Sequence, residues 1–147
     1  MKVLVDTNIV LDVALLRPEF LESSSQVLAL IEKGRIEGIL AATSLTTLHY
    51  FTRKHLGPEQ ARHYVITILA LFTIAPVDRD ILESALVLEG PDFEDNVIRA
   101  AAQRAGAEAI VTRDPKGFAA PAMTSYSPIA LLKKLAPVQG TKVDSPS

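Results

Sequence analysis

The feature that most constrains this chain is a repeated alternation. Short apolar runs, each closed by a turn or acidic residue, are followed by stretches with helical spacing. Val3 to Val5 is such a run and stops at Asp6, which predicts a buried central strand. Ile9, Val10, Val13 and Leu16 then recur at helical spacing up to Pro18, and a proline disfavours helix in the residue before it. A second helix is predicted from the Ser23–Ser25 cluster, with Val27, Leu28 and Ile31 on one face and Gly34 closing it. Gly38 to Ala42 reads as the second strand. Thr43 and Ser44 read as the N-cap of a helix bearing Leu45, Leu48 and Phe51. Gly57-Pro58 breaks the chain, and Pro58 suits the first position of a helix running to Leu71. Phe72 to Val77 is the third predicted strand, and Ile81 to Leu88 the next helix. Asp92 is placed as the N-cap of a helix over Glu94–Ala105, stopped by Gly106. Ala109 to Thr112 forms a fourth strand, Met123 marks a short fifth, and Pro128 opens a last helix.

Such an alternation predicts a three-layer α/β/α sandwich around a central, mainly parallel sheet of four or five strands. It does not contain the order of the strands. A single domain is expected over residues 1–136. Residues 137–147, with two prolines, one glycine and two serines, are expected to be a flexible tail.

Composition enters where function classes are to be excluded. The 147 residues are 48% apolar and 22% charged, a soluble globular balance that excludes extensive disorder. There is no cysteine, which removes thiol nucleophiles, disulfides and zinc fingers. No run approaches the roughly 20 apolar residues needed to span a bilayer, and the first apolar run is too short for a signal peptide. The chain is therefore expected to be cytoplasmic, without a membrane partner. The net charge of −2 argues against binding nucleic acid by bulk positive charge.

Open α/β sheets bind ligands outside the carboxyl ends of their strands, and acids sit at those places here. Asp6 ends the first strand in VDTN, and Asp114 follows the fourth in VTRD. Asp92, Glu94 and Asp95 cluster in EGPDFED, a segment with four acids and no base. Carboxylates gathered in one place repel, more so when desolvated. A hard divalent cation such as Mg²⁺ or Mn²⁺ relieves this and suits phosphoryl chemistry. Taken singly, each acid has a plainer reading as a turn former, a cap or a dipole partner. Asp92 is the one best explained as a cap.

In combination these segments resemble the PIN-domain family, the fold of VapC-type toxin ribonucleases. VDTNIVLD after the first strand resembles its first motif. FEDNVIRAAAQRAGAEAIVTRDPKGF resembles its third and fourth, in the right order, and the likeness covers roughly residues 1–135. The resemblance implies a metal-dependent endoribonuclease. Asp6, Asp95 and Asp114 would be its catalytic carboxylates and would hold Mg²⁺ or Mn²⁺ with help from Asp92 or Glu94. Thr7, Asn8 and Thr112 would orient carboxylates and water, and Arg113 is a candidate phosphate contact or a solvated loop arginine. RNA would be the substrate. A small antitoxin is an implied partner, inserting a basic side chain into the acidic pocket, and a homodimer is expected.

One departure matters. The family usually carries a glutamate on the helix after the second strand, in a Thr-x-x-Glu-like segment. Here that segment is TSLTTLHYF, with His49 at the expected position and Thr46 one turn earlier. The reading adopted is that Asp92 or Glu94 supplies the missing carboxylate. His49 as a ligand, favouring Mn²⁺, and a degenerate site are the alternatives. His49, Arg53, Lys54, His55, Arg62 and His63 form either a solvated face or a basic wall for RNA phosphates. The helix from Pro58 to Leu71 is either a dimer surface or core. The main rival function is a catalytically degenerate PIN-like module that binds RNA or protein. Receiver and haloacid-dehalogenase-like phosphatase domains fit less well, the latter because Asp6-Thr7-Asn8 is not Asp-x-Asp.

Overall fold

The computed structural model describes residues 1–90, 92–118 and 123–136. The expected tail at 137–147 lies outside them. Five strands form one sheet: β1 (Lys2–Val5), β2 (Glu37–Ala41), β3 (Thr73–Ala75), β4 (Ala109–Val111) and β5 (Thr124–Tyr126). Every pairing is parallel and the spatial order is β3-β2-β1-β4-β5. The helices are α1 (Thr7–Ala14), α2 (Leu21–Glu32), α3 (Ala42–Leu56), α4 (Pro58–Leu71), α5 (Arg79–Val87), α6 (Phe93–Arg104) and α7 (Pro128–Leu135). The expected sandwich is present, with five strands and a wholly parallel sheet.

The two-residue period of a strand divides the core. Val3 and Val5 face one layer, with Ile9, Leu11, Leu48 and Leu131. Leu4 faces the other, with Ile98, Ala101 and Ile110. Val3, Leu4 and Val5 are fully buried, as an apolar run covered on both faces must be. Ala100, Ala101 and Ala102 are buried in α6. Their small side chains let that helix lie close to the sheet. Gly38 serves a similar purpose on β2, where a Cβ would come within 2.7 Å of Ile31 Cδ1 and 2.9 Å of Phe72 Cε1.

Two helix starts differ from expectation. β2 runs straight into α3, so Ala41 occupies the N-cap position without a side-chain cap. Thr43 and Ser44 lie inside the first turn instead. Likewise α2 begins at Leu21, before the serine cluster, and Ser24 is buried. Its hydroxyl serves a contact with another helix rather than its own terminus. Asp78 and Asp92 do cap α5 and α6, accepting the backbone N–H of Ile81 and Asp95, each at 3.1 Å.

Candidate functional site

The strand order reverses at the β1–β4 pair: β2 lies on one side of β1 and β4 on the other. That is the topological switch point, where the loops leaving adjacent strands diverge and open a crevice. Asp6 leaves β1 there, and Thr112, Arg113 and Asp114 leave β4. The Asp6 N–H continues the ladder to the Val111 carbonyl at 2.9 Å. The Thr112 hydroxyl donates to Asp6 Oδ2 at 2.9 Å and accepts the Asp114 N–H at 3.1 Å. One hydroxyl thus fixes the first acid and the backbone of the third. Asp6 itself is buried and makes no side-chain cap to α1.

α6 brings the remaining acids. Burial raises the Asp95 carboxyl to about 6, and the charges of Asp92, Asp6, Asp114 and Glu94 add to the effect. The Asp6 carboxyl is also raised, by burial first, and is partly relieved by the Thr112 hydroxyl, the Thr7 N–H and Arg113. Among the described residues no three His, Asp or Glu side chains are placed so that together they could hold a metal ion. The donor set nevertheless fits a hard divalent cation. It consists of oxygen donors, and its mutual repulsion is what such a cation relieves. Mg²⁺ commonly takes one or two carboxylates and keeps several waters, so an open cluster suits it.

The other expected residues divide clearly. Thr7 Oγ1 donates to Ser44 Oγ at 2.6 Å, tying α1 to α3 beside Asp6. Asn8 is exposed on the first turn of α1. Thr46 lines a cleft of about 320 Å³ together with Thr7, Thr43, Ser44, Thr47 and Glu94. His49 does not line that cleft. It is exposed and lines a separate hollow with Tyr50, Arg53 and Lys54. The α3 positions that line the cleft with Glu94 thus carry hydroxyls, with no acid or imidazole among them. His55, Arg62 and His63 are likewise exposed.

Arg113 is committed to a different task. Its Nε lies 3.3 Å from Asp12 Oδ2, and its guanidinium stacks 4.2 Å above the Phe20 ring. Asp12 is completely buried and also pairs with Arg17 at 3.3 Å. The Ser24 hydroxyl adds a contact at 3.4 Å. Sequence reasoning assigned Asp12 no role. Its only signal was position, an acid six residues after Asp6 and amid apolar neighbours. Asn96 and Arg99, both buried, were also missed. Asn96 donates to the Leu88 and Gly90 carbonyls at 3.3 and 3.4 Å, and Arg99 to the Glu89 carbonyl at 3.0 Å. Together they hold the segment that leads into Asp92.

Comparison with known proteins agrees with this architecture. A family model described as the PIN domain matches residues 2–116. No curated protein matches the chain. Solved structures share the fold. VapBC2 from Rickettsia felis, bound to a DNA fragment from its promoter, matches with a TM-score of 0.63 and 20% identity over 86% of this chain and 98% of that one. A toxin–antitoxin complex from Klebsiella pneumoniae matches at 0.63 and 24%, over 86% and 97%. VapC20 from Mycobacterium tuberculosis, a toxin that cleaves the sarcin–ricin loop, matches at 0.60 and 15%, over 74% and 86%.

Proposed function

The chain belongs to the PIN-domain family, and from that membership we propose that it is a divalent-metal-dependent endoribonuclease hydrolysing RNA phosphodiester bonds. The observation that carries the reading is the meeting of Asp6 and Asp114 at the β1–β4 switch point, where one Thr112 hydroxyl donates to the Asp6 carboxylate and accepts the Asp114 N–H; the Asp95 carboxyl, raised to about 6 by burial and by four further acids, supports it. Desolvating one carboxyl among others is unfavourable for folding, and such sites concentrate where chemistry needs them.

Asp6, Asp95 and Asp114 would hold Mg²⁺ or Mn²⁺. Asp92 is engaged as a cap through one oxygen, and Glu94 faces the neighbouring cleft. When bound, the ion would supply charge stabilisation at the scissile phosphate and a more acidic water. Thr112 orients Asp6 through its 2.9 Å hydrogen bond and partly offsets the burial that raises its carboxyl. Arg113, held by Asp12, offsets the Asp6 charge without entering its hydrogen bonding. The exposed Arg53 and Lys54 on α3 would offer the RNA backbone a basic contact in a hollow apart from the cleft. By likeness to the Klebsiella complex, a small antitoxin is part of the proposal. So is a homodimer, for which the exposed Ile66 and Leu69 of α4 supply apolar surface. No helix among the described residues is long and apolar enough to cross a membrane.

The test is cleavage of RNA with Mg²⁺ or Mn²⁺ against an EDTA control, after removal of any co-purifying inhibitor. Metal-dependent cleavage abolished by Asp6→Asn and Asp95→Asn is expected. An inactive wild type would reject the enzyme. The second reading is a non-cutting RNA- or protein-binding module, favoured by the hydroxyls of Thr43, Ser44, Thr46 and Thr47 where the family usually has a carboxylate. Stoichiometric Mn²⁺ binding that Asp6→Asn removes would count against it.

A further inference from the structure

The cleft beside the acids is built unlike a metal site. One wall is hydroxylic and comes from Thr7 and the first turns of α3. The facing wall is apolar, from Leu82, Phe93, Val97 and Ile98, and Glu94 completes the lining. At about 320 Å³ it falls at the lower end of small-ligand pockets. Phe93 remains 46% exposed, an aromatic face left without full cover.

Three hydroxyls of the polar wall have their protons committed within the protein. Thr46 donates its hydroxyl proton to the Thr43 carbonyl at 2.8 Å, and Thr47 donates to the same carbonyl at 3.4 Å. The Thr7 proton goes to Ser44 at 2.6 Å. Thr7, Thr46 and Thr47 have directed their protons into the protein and offer lone pairs outward, while Ser44 and Thr43 keep a proton to donate. Glu94 when ionised is an acceptor only. A ligand suited to this cleft therefore presents N–H donors and a flat face. The cleft also adjoins the chemistry, since Thr7 follows Asp6 and Glu94 precedes Asp95 in the chain.

We infer that this cleft seats a guanine base of the RNA next to the scissile phosphate, stacked on Phe93 and read by Glu94. The assignment rests on the nuclease reading above. Bases of single-stranded RNA are recognised by stacking on aromatic rings and by hydrogen bonds to their Watson–Crick edges. On that edge guanine places two donors, N1–H and the N2 amino group, side by side, and a carboxylate accepts both. Adenine and cytosine place a donor beside an acceptor, and uracil sets one donor between two acceptors. Those edges aim a lone pair at Glu94.

Two measurements test this. In the first, methyl NMR spectra follow Thr46, Thr47, Val97 and Ile98 while guanosine or uridine 5′-monophosphate is titrated into the Asp6→Asn protein. Guanosine monophosphate is expected to move these methyls with a preference of about tenfold, and adding Glu94→Gln is expected to abolish it. In the second, the wild type with Mn²⁺ cuts a randomised RNA pool, and guanine is expected to be enriched beside the cut. Cleavage without base preference, with indifferent methyls, overturns the guanine site and leaves the nuclease standing. Selective nucleotide binding without any cleavage overturns the nuclease, and with it the assignment of the cleft to an RNA substrate.

Discussion

Replacing Asp95 by Asn is expected to stabilise the metal-free protein while abolishing its activity. The carboxyl is raised from its ordinary 3.8 to about 6, by burial and by the acids around it. A change of that size corresponds to at most about 3 kcal/mol of unfavourable charge in the folded state. The side chain remains partly exposed, so solvent screening reduces this to about 1 kcal/mol. The sign follows from proton linkage. Below about pH 4 the carboxyl is protonated in both folded and unfolded chains, and the charge penalty is absent. Between about 4 and 6 the folded state binds more protons, so stability falls as pH rises; above about 6.5 the loss is complete. The amide escapes this. Thermal unfolding in EDTA should therefore show Asp95→Asn melting about 2–4 °C above wild type at pH 7.5, with most of the difference gone at pH 4. Mn²⁺ should raise the melting temperature of the wild type and leave the variant unchanged. A variant that melts lower at pH 7.5, or that gains equally at both pH values, would refute the electrostatic reasoning.

Other expectations follow from single contacts. Asp12→Asn leaves Arg17 and Arg113 without their buried counter-charge and should cost about 3 kcal/mol, read as a lower urea midpoint with an unchanged slope. Gly38→Ala drives a methyl into Ile31 and Phe72 and should cost about 1–3 kcal/mol in the same assay, with cleavage specificity retained. His49→Ala should cleave RNA at the wild-type rate in both Mg²⁺ and Mn²⁺, because its hollow is not the acid-side cleft. A rate loss confined to Mn²⁺ would restore the imidazole as a ligand.

Parts of this architecture were legible because they have local causes. β1 announced itself as an apolar run, since a strand buried on both faces has no polar alternation to display. Asp92 as a cap and Pro58 as a helix start are short-range rules, and both hold. What stayed illegible is non-local. The β1–β4 pairing leaves no mark in either segment, so the role of Thr112 beneath Asp6 could not be derived. Asp12 lies where helical spacing alone gives no reason for burial. It is buried because arginines from two other segments reach it. The hydroxyls of α3 were misjudged as caps because β2 enters that helix without a loop. His49 was placed by motif spacing, whereas helical phase decides. Thr43 and Thr47 share the cleft face at i and i+4, and position 49 lies about 200° further round than position 47.

The Asp6–Thr112 hydrogen bond spans 106 positions of sequence, and this has a consequence during synthesis. A nascent chain acquires β1, β2 and even the acid-bearing α6 before β4 leaves the ribosome. Until then the central strand lacks one of its two neighbours, and Asp6 has no hydroxyl to hold it. Non-local pairings of this kind form late, once the loop-closure entropy can be offset by a completed core. The centre is thus assembled only after residues 109–114 have been made. A ribosome making this protein is shielded from its product until that segment has emerged, a useful order of events for a chain proposed to cut RNA.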